Sequence, residues 1–487
     1  MNEQPPSGPT PPSVVAVDVG TSAVRAVVLS ESGTVLSSTR VARPDSGGGE
    51  TFDAEALVAD VVTSLAGLEQ TAGARALAVA AHIGVVAVDA SGAVLDRAGG
   101  WSDPRGLADL ARLDPPVQAG VLRGSGRPSA GSSALAYGLS LRSDPRLASR
   151  VRHLLSPTGL LVQRLTGKAV MDTVNAAYTL VSDVASRSWN EAGLAALGLD
   201  LAWFPRQVSP IELAGELAVG AARSCGLPAG LPVVAGGPDG SVGAGLLLGA
   251  DRKLVADVAG TTDVLARLVG RPEDAPAGTV LNPALTDTGW TAGGATGMTG
   301  GTVARWRTML VPVSEGELAA VPPGAEGLLV VPTMTGSRFP RWVSGDRGAV
   351  VGQRPEHGAA VLLRAAQEGA AFTVREGVDL LERAGEPRST VVLAGGTARS
   401  RVAAQLRADV LGRATLVSEE PDVTLLGAAA LALVGAGMVA DLDEARQRIG
   451  MIFTAIEPDR HRQERYDELF VRWRQVRDRV PPPPEEP

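Results

Sequence analysis

The chain begins with apolar segments that alternate with short polar turns. Residues 14–17 and 23–29 consist mainly of valine and alanine, and a third strand-like segment covers 34–40. Turn-forming tripeptides separate these segments at 20–22 and 31–33. Apolar runs joined by such turns are typical of hairpin-connected strands. We therefore predict an antiparallel three-stranded meander at the start of the chain.

Farther along, short apolar runs and segments with helical spacing follow each other. Runs of strand type lie at 76–80, 84–88, 233–235, 255–259, 391–394 and 414–417. Helices are predicted after the N-capping residue Asp53 (54–68) and at 153–165, 240–249, 357–382, 402–411 and 425–434. The apolar run 423–440 is interrupted by Thr424 and by glycines, which favours a buried helix over a membrane span.

The chain also contains an internal repeat. Residues 15–26 and 255–266 align as strand, Gly-Thr-Ser/Thr turn and strand, which suggests two halves of one design. Small-molecule sites usually lie between domains, so we expect a cleft between the halves. The predicted limits are 14–249 for the N-terminal domain and 250–478 for the C-terminal domain. Polar, proline-rich tails at 1–13 and 479–487 are predicted to be disordered.

Composition removes several classes of function. The net charge of −8 and the pI near 5.3 argue against a nucleic-acid groove. The single cysteine, Cys225, excludes disulfides within the chain and cysteine zinc clusters, and the four histidines show no ligand spacing. Neither Lys168 nor Lys253 belongs to a P-loop. The first residues lack the pattern of a signal peptide, so a cytoplasmic protein without membrane or nucleic-acid partners is expected.

One candidate for acid–base chemistry stands out. Asp239 follows an apolar run that ends in Gly-Gly-Pro, and small residues follow it. Glycine allows a sharp turn and close approach to a ligand, while Pro238 stiffens the loop. A carboxylate held by such a conformationally restricted loop suits a general base that accepts the proton of a hydroxyl. The alternative is an aspartate that only caps the following helix.

Glycine-rich turns provide candidate phosphate and nucleotide contacts. The turn at 20–22 brings backbone N–H groups and two hydroxyls together, and Asp18 beside it could hold Mg²⁺ through water. Turns of this kind also occur without any ligand. A second strand-to-helix turn at 395–400 leaves room for a flat base or a ribose at a helix N-terminus.

A loop near residue 100 combines Trp101, Asp103 and Arg105. The two charged groups could hydrogen-bond a polyol while the indole covers its apolar face, which is the basis for a sugar-binding hypothesis. The alternative is an ordinary surface salt bridge beside a half-buried tryptophan.

Taken together, these motifs resemble the FGGY carbohydrate kinases of the sugar kinase/actin/Hsp70 superfamily. The resemblance extends from about residue 14 to residue 478 and rests on the order of its motifs, which include Asp18-x-Gly20-Thr21-Ser22, Trp101-x-Asp103-x-Arg105, Gly237-x-Asp239, Gly260-Thr261-Thr262, Gly300-Gly301, Gly336-x-Arg338-x-Pro340 and Gly395-Gly396-x-Ala398.

The resemblance implies an α/β fold of two ribonuclease-H-like (actin-like ATPase) domains with an interdomain cleft that binds ATP and sugar. Asp239 would be the base and Asp18 would organise Mg²⁺. Phosphates and adenosine would be held by Gly20, Thr21, Ser22, Gly260, Thr261, Thr262, Gly300, Gly301, Gly395, Gly396 and Ala398. The sugar would contact Ala81, His82, Trp101, Asp103, Arg105 and Asp239.

Departures from the family pattern fall where the sugar is expected. The sequence Ala80-Ala81-His82-Ile83 stands where xylulokinase-like members have Gln-Met-His, and its two alanines are shared with gluconokinase-like members. We expect an ATP-dependent kinase of a small sugar, first a ketopentose such as xylulose, with gluconate or a polyol as the alternative. A non-catalytic sensor of sugar or nucleotide and an actin-like ATPase are the competing hypotheses. A homodimer is one assembly that the sequence leaves open.

Overall fold

The first half of the chain opens with the predicted meander. The computed structural model describes residues 11–43, 50–286, 288–382 and 388–480, so most of both predicted tails lies outside the described residues. The strands of this half are β1 (Ser13–Val19), β2 (Ala23–Ser30), β3 (Val35–Ala42), β4 (Thr51–Phe52), β5 (Ala74–Ala81), β6 (Val86–Val88), β7 (Ala98–Gly99), β8 (His153–Leu155), β9 (Val170–Asp172), β10 (Ser182–Asp183), β11 (Ser188–Trp189), β12 (Arg206–Val208), β13 (Leu213–Glu216) and β14 (Pro232–Pro238). Its helices are α1 (Ala54–Ala66), α2 (Leu107–Ala111), α3 (Pro115–Gly124), α4 (Ala134–Ser140), α5 (Pro145–Ala148), α6 (Pro157–Thr166), α7 (Thr173–Tyr178), α8 (Glu191–Ala196), α9 (Val219–Cys225) and α10 (Asp239–Leu248).

The second half also begins with several strands before its first long helix. Its strands are β15 (Leu254–Ala259), β16 (Asp263–Val269), β17 (Val280–Pro283), β18 (Trp290–Ala295), β19 (Leu329–Val331), β20 (Ala349–Val351), β21 (Thr390–Gly395), β22 (Thr415–Ser418) and β23 (Phe453–Ile456). Its helices are α11 (Thr299–Met309), α12 (Glu315–Ala320), α13 (Ala359–Leu381), α14 (Arg401–Leu411), α15 (Val423–Gly435), α16 (Leu442–Ile449) and α17 (Arg460–Arg477).

The two large sheets share the same order of six strands, and the second has one more strand, β17, at its edge. In the first, the order is β13-β14-β5-β1-β2-β3, with β1, β2 and β3 antiparallel and with β5 and β14 parallel to β1. In the second, β18, β16 and β15 form the meander, and β21 and β22 run parallel to β15. This repeated strand order confirms the predicted pair of ribonuclease-H-like domains. It also confirms the internal repeat from which the two halves were predicted.

The parallel strands determine where a site can form. β1, β5 and β14 run in the same direction, so their carboxyl ends meet at one edge of the first sheet. The carboxyl ends of β15 and β21 meet in the same way in the second sheet. Ligands of open α/β sheets bind at such edges. The candidate residues follow these strand ends.

The two halves exchange a helix. α10 packs its Leu247 and Leu248 against Ala256 and Val392 of the second sheet, while α15 packs against β1 and β5 of the first. The helices approach closely because Gly427 of α15 faces α10, where a Cβ would lie 2.7 Å from the carbonyl oxygen of Val242. α15 is the buried helix predicted from the apolar run 423–440. Within the described residues, none of the helices combines the length and apolar character that crossing a bilayer requires.

Two local predictions were wrong in extent. The helix predicted for 153–165 starts only at Pro157, because His153–Leu155 pairs with β6 and the Ser156 hydroxyl accepts the N–H of Gly159 as an N-cap. The apolar run before Asp239 stays extended through its glycines to Pro238. Gly236 has φ +71°, and a Cβ there would lie 1.9 Å from the carbonyl oxygen of Val79, so only glycine fits this irregular pairing.

A buried ion cluster supports the second sheet. The Arg407 guanidinium of α14 pairs with Asp257 of β15 and, at 3.1 Å, with Asp263 of β16, and all three residues are at least 97% buried. Removing one partner from such a cluster leaves an uncompensated buried charge. Arg407→Met is therefore expected to lower the free energy of unfolding by about 3–5 kcal/mol, measured by urea denaturation.

The matched control for Arg407→Met is Arg460→Met. Arg460 forms an exposed ion pair with Glu464 on α17, and such pairs contribute about 0–1 kcal/mol. Equal losses in the two variants would contradict the role given to the buried cluster.

Candidate active site

Three acid–base side chains follow the carboxyl ends of the parallel strands in the first sheet. Asp18 lies at the end of β1, His82 directly after β5, and Asp239 directly after β14. Asp18 is buried, and its Oδ2 accepts a hydrogen bond of 2.7 Å from Nη2 of Arg25 on β2. The same guanidinium also pairs with Asp422, at the start of α15. Elements from both halves therefore meet at this edge.

Burial dominates the electrostatics of these groups. It raises the pKa of Asp18 to about 7; the charge of Arg25 opposes this rise, and the neighbouring carboxylate of Asp239 adds to it. Burial also raises the pKa of Asp239, against His82, the N–H of Gly240 and Arg25. Burial lowers the pKa of His82, so its ring stays neutral near pH 7.

Asp239 occupies a fixed position between the halves. Its Oδ1 accepts the N–H of Gly240 at 2.6 Å, and its carbonyl oxygen accepts the Thr424 hydroxyl at 3.4 Å. Gly240 faces Val264 of β16, 3.3 Å from where a Cβ would lie. The Oδ2 atom accepts no hydrogen bond from the described residues, and α10 has no side-chain cap. The carboxylate is half-buried and keeps one oxygen available for a ligand.

The Gly-Thr-Ser/Thr turns are open to solvent in both halves. Thr21, Ser22 and Thr261 are exposed, and the turns are closed by backbone hydrogen bonds from Gly20 N to Ala23 O (3.0 Å) and from Gly260 N to Thr262 O (2.9 Å). Their hydroxyls and N–H groups are accessible to an anion. The first turn thus lies at the strand end beside Asp18, and the second lies beside the cavity described below.

Small residues make room beside the second turn. The N-terminal part of α11 sits directly on it, with Gly301 N–H donating to Thr261 O at 2.8 Å. A Cβ on Gly300 would lie 2.0 Å from the carbonyl oxygen of Gly260, so any side chain there would displace the turn. Gly395, at the end of β21, has φ +88° and equally little space.

A cavity of about 300 Å³ lies next to these glycines. Its lining includes Gly260, Thr261, Gly300, Gly301, Gly396 and Gln367. The Oε1 atom of Gln367 is buried without a hydrogen-bond partner among the described residues, which leaves an acceptor free for a ligand donor. Ala398 does not line this cavity; it is partly buried and packs against Ala259 and Leu393.

A second, narrow cavity opens beside β6. It measures about 20 Å³, so a sugar could enter only if its walls part, and Ile83, Trp101, Asn175 and Tyr178 contribute to its lining. Of the residues predicted for the sugar, Trp101 reaches the cavity, and His82 lies one residue before its wall. Ala81 is fully buried in β5.

Asp103 and Arg105 pair mainly with each other. Arg105 Nη2 lies 2.6 Å from Asp103 Oδ2, and its Nη1 lies 2.7 Å from Asp96. The guanidinium also covers the Tyr137 ring at 4.7 Å. Neither charged residue is among those that line the narrow cavity, and the sugar-binding hypothesis for them stays untested.

Sequence reasoning missed some residues of the site. Arg25 links Asp18 to Asp422, and its signal was a lone charge inside an apolar strand. Arg338 was noted only as part of a motif, although its guanidinium lies 4.5 Å above the Trp101 ring. Gln367 is hidden in a long amphipathic helix, where its sequence gives no signal.

Comparisons with known proteins cover nearly the whole chain. Residues 13–245 match the N-terminal domain of the FGGY family of carbohydrate kinases, and residues 255–436 match its C-terminal domain. The chain is 26% identical to a xylulose kinase of Bacillus subtilis (95% of this chain, 96% of that protein) and 25% identical to a gluconokinase of the same species (90% and 91%). It superposes on the crystal structure of a gluconate kinase from Lactobacillus acidophilus with a TM-score of 0.86 at 21% identity, over 96% of this chain and 98% of that one.

Proposed function

The chain belongs to the FGGY family of carbohydrate kinases and is thus a phosphotransferase with an alcohol acceptor, and on this basis we propose that it uses ATP and Mg²⁺ to phosphorylate a small polyhydroxylated substrate, with Asp239 as the general base. The observation that carries this proposal is the position of Asp239, half-buried between the halves with Oδ2 free of protein donors. A base must lie within reach of the proton that it accepts.

The proposed reaction is an in-line transfer. Oδ2 of Asp239 accepts the proton of the substrate hydroxyl while that oxygen attacks the γ-phosphorus of ATP. The bond between the γ-phosphorus and the bridging oxygen of ADP breaks, and the electron pair leaves with ADP. Asp239 then returns its proton to solvent. Such transfers depend mainly on positioning and on neutralising the phosphate charge.

The larger cavity supports the nucleotide part of the proposal. A cavity of about 300 Å³ beside unsubstituted glycines has the size of a cofactor pocket. The missing side chain of Gly300 lets the N-terminus of α11 lie directly against the second Gly-Thr-Thr turn, and the first turn of a helix is a favourable place for phosphate oxygens. The free Oε1 of Gln367 could accept a hydrogen bond from an exocyclic amine.

The carboxylates of Asp18 and Asp239 suit a magnesium ion that the protein binds through few ligands. No group of three or more His, Cys, Asp or Glu side chains in the described ranges could enclose a metal. Mg²⁺ does not need such a cage, since it keeps several waters and binds through one or two carboxylates together with substrate phosphates. Asp18 is the carboxylate that we assign to it. The bound ion would supply positive charge against the transferred phosphate.

The identity of the acceptor is the finer part of the proposal. A ketopentose such as xylulose is the first sequence-based expectation, and gluconate or a polyol is the alternative. Relatives of similar identity carry both names, so their names do not decide between them. A cytoplasmic location and a homodimer also stay predictions.

An ADP-release assay tests the proposal. The purified full-length protein is given Mg²⁺–ATP with xylulose, gluconate, xylitol and sorbitol in turn, and one of them is expected to raise ADP release well above the substrate-free rate. Bound ATP without release on any of these compounds would contradict the proposal and favour a sensing protein.

A further inference from the structure

The narrow cavity is flanked by an arginine from the other half of the chain. Arg338 belongs to the loop between β19 and β20, and its guanidinium lies 4.5 Å from the centre of the Trp101 ring, which forms a wall of the cavity. Its side chain is partly buried and makes no hydrogen bond or ion pair within the part of the chain that the structure describes. Burial lowers its pKa, with Tyr178 opposing the effect.

A second guanidinium covers the other aromatic wall. Arg127 lies 4.2 Å above the Tyr178 ring and is 91% buried. Its terminal nitrogens donate to Leu281 O and Asn282 Oδ1, both at 2.7 Å, but its Nε–H is buried without a partner among the described residues. Burial lowers its pKa to about 10.

The lack of an acid beside Arg127 is exceptional in this chain. The other buried arginines of the described residues each pair with a carboxylate: Arg43 with Asp60, Arg364 with Glu368, Arg407 with Asp257, Arg413 with Glu382 and Arg477 with Glu376. A buried cation without a counter-charge is costly. Arg127 lies over the Tyr178 ring and Arg338 over the Trp101 ring, and both of these rings line the narrow cavity.

The cavity itself offers no acid that could serve them. Its polar wall consists of hydroxyl and amide groups from Ser132, Ser133, Ser156, Asn175 and Thr179, with no Asp or Glu among the described residues that line it. The nearby carboxylates are engaged: Asp172 with Asn175, and Asp103 with Arg105. Hydroxyls suit a polyol chain, and the surplus positive charge suits an anion.

We propose that the substrate is a polyhydroxy carboxylate, an aldonate, whose carboxylate is recognised by Arg338 with Arg127 supplying a second positive charge behind Tyr178. The planar guanidinium matches a carboxylate with two parallel hydrogen bonds. This proposal rests on the proposed kinase function and chooses the sugar acid over the ketopentose. Since Arg338 comes from the other half, acid binding would also hold the halves together across the cavity.

Binding is measured first, so that the result does not depend on turnover. Calorimetry of the full-length protein with a non-hydrolysable ATP analogue compares D-gluconate with sorbitol, and D-xylonate with xylitol and xylulose. Each acid is expected to bind about tenfold to a hundredfold more tightly than its neutral counterparts, as hydrogen bonds to a charged group allow. Arg338→Met should abolish this preference, and Arg338→Lys should keep part of it.

Arg341→Met is the matched control. Arg341 lies in the same loop but already pairs with Asp478 at 2.8 Å, so its removal should leave the preference for the acid unchanged. Equal binding of acid and neutral compound, or an equal loss of both in Arg338→Met, would overturn the inference. ADP release on a neutral sugar alone would overturn the aldonate inference and leave the kinase function supported. Binding of an acid without any turnover would support the aldonate inference and contradict the kinase function.

Discussion

Asp239→Asn is expected to lower kcat about 10²–10⁴-fold, the usual contribution of a positioned general base. The substitution keeps the size of the side chain, and its Oδ1 can still accept the N–H of Gly240. What disappears is the ability to accept a proton at the second oxygen. Single-turnover measurement of phosphate transfer, with saturating sugar and ATP, isolates this step from product release.

The same variant should bind nucleotide and fold as before. Asp239 lies outside the lining of the larger cavity, so the affinity for an ATP analogue should not change. Burial raises the pKa of Asp239, and a raised carboxyl pKa means that ionisation costs stability as the pH rises. Replacing it with neutral Asn should therefore not lower the melting temperature at pH 8. A structural cap would behave in the opposite way.

Asp251→Asn is the control for this prediction, because it makes the same substitution beyond the other end of α10. Asp251 is exposed, and its side chain only accepts the N–H of Lys253. It should keep full activity. If Asp239→Asn keeps turnover within about tenfold of the wild type, the loss expected for a base is absent and its assignment fails.

Most of the secondary structure could be predicted from the local pattern of apolar and turn-forming residues. The strand that contains Asp18 and the strand that precedes Asp239 were recognisable from apolar runs followed by turn residues, and Asp53 caps α1 as predicted. The repeat at 255–266 predicted the second sheet, because it has the same apolar strands and the same Gly-Thr-Ser/Thr type of turn as residues 15–26. The exchange of α10 and α15 was not predictable, since an apolar helix does not specify the sheet that covers it.

The candidate site could be predicted only in part from the sequence. The residues that were missed contact partners that lie far away along the chain. Glycine-rich turns mark strand ends, so the positions of Thr21, Thr261 and Gly396 followed from local sequence. Arg338 and Trp101 are more than 200 residues apart, and no local pattern places one above the other. Asp103 and Arg105 are the opposite case: they are neighbours in sequence and pair with each other, and the sugar contact predicted for them stays a prediction.

Asp18 differs from Asp239 in what surrounds it. It is 98% buried, and Arg25 bridges it to Asp422 of the other half. Its burial outweighs the nearby guanidinium and raises its pKa to about 7. A carboxyl group must be ionised to help hold a metal ion, so a cation that binds beside it competes with a proton. This competition gives the second large prediction its pH dependence.

Asp18→Asn is expected to lower kcat/KM about 10²–10³-fold, comparable to the loss of one preorganised electrostatic group at the reacting phosphate. In the wild-type protein, kcat/KM should fall as the pH drops through about 7, because Asp18 becomes protonated, and the variant should lack this limb. The folded protein without ligand should instead lose stability as the pH rises from about 4 towards 7, since the raised pKa favours the neutral acid. Asp422→Asn removes a carboxylate from the same arginine without touching the proposed metal position, so it should cost far less activity and keep the limb. An acid limb that persists unchanged in Asp18→Asn would assign the titration to another group and remove Asp18 from the magnesium site.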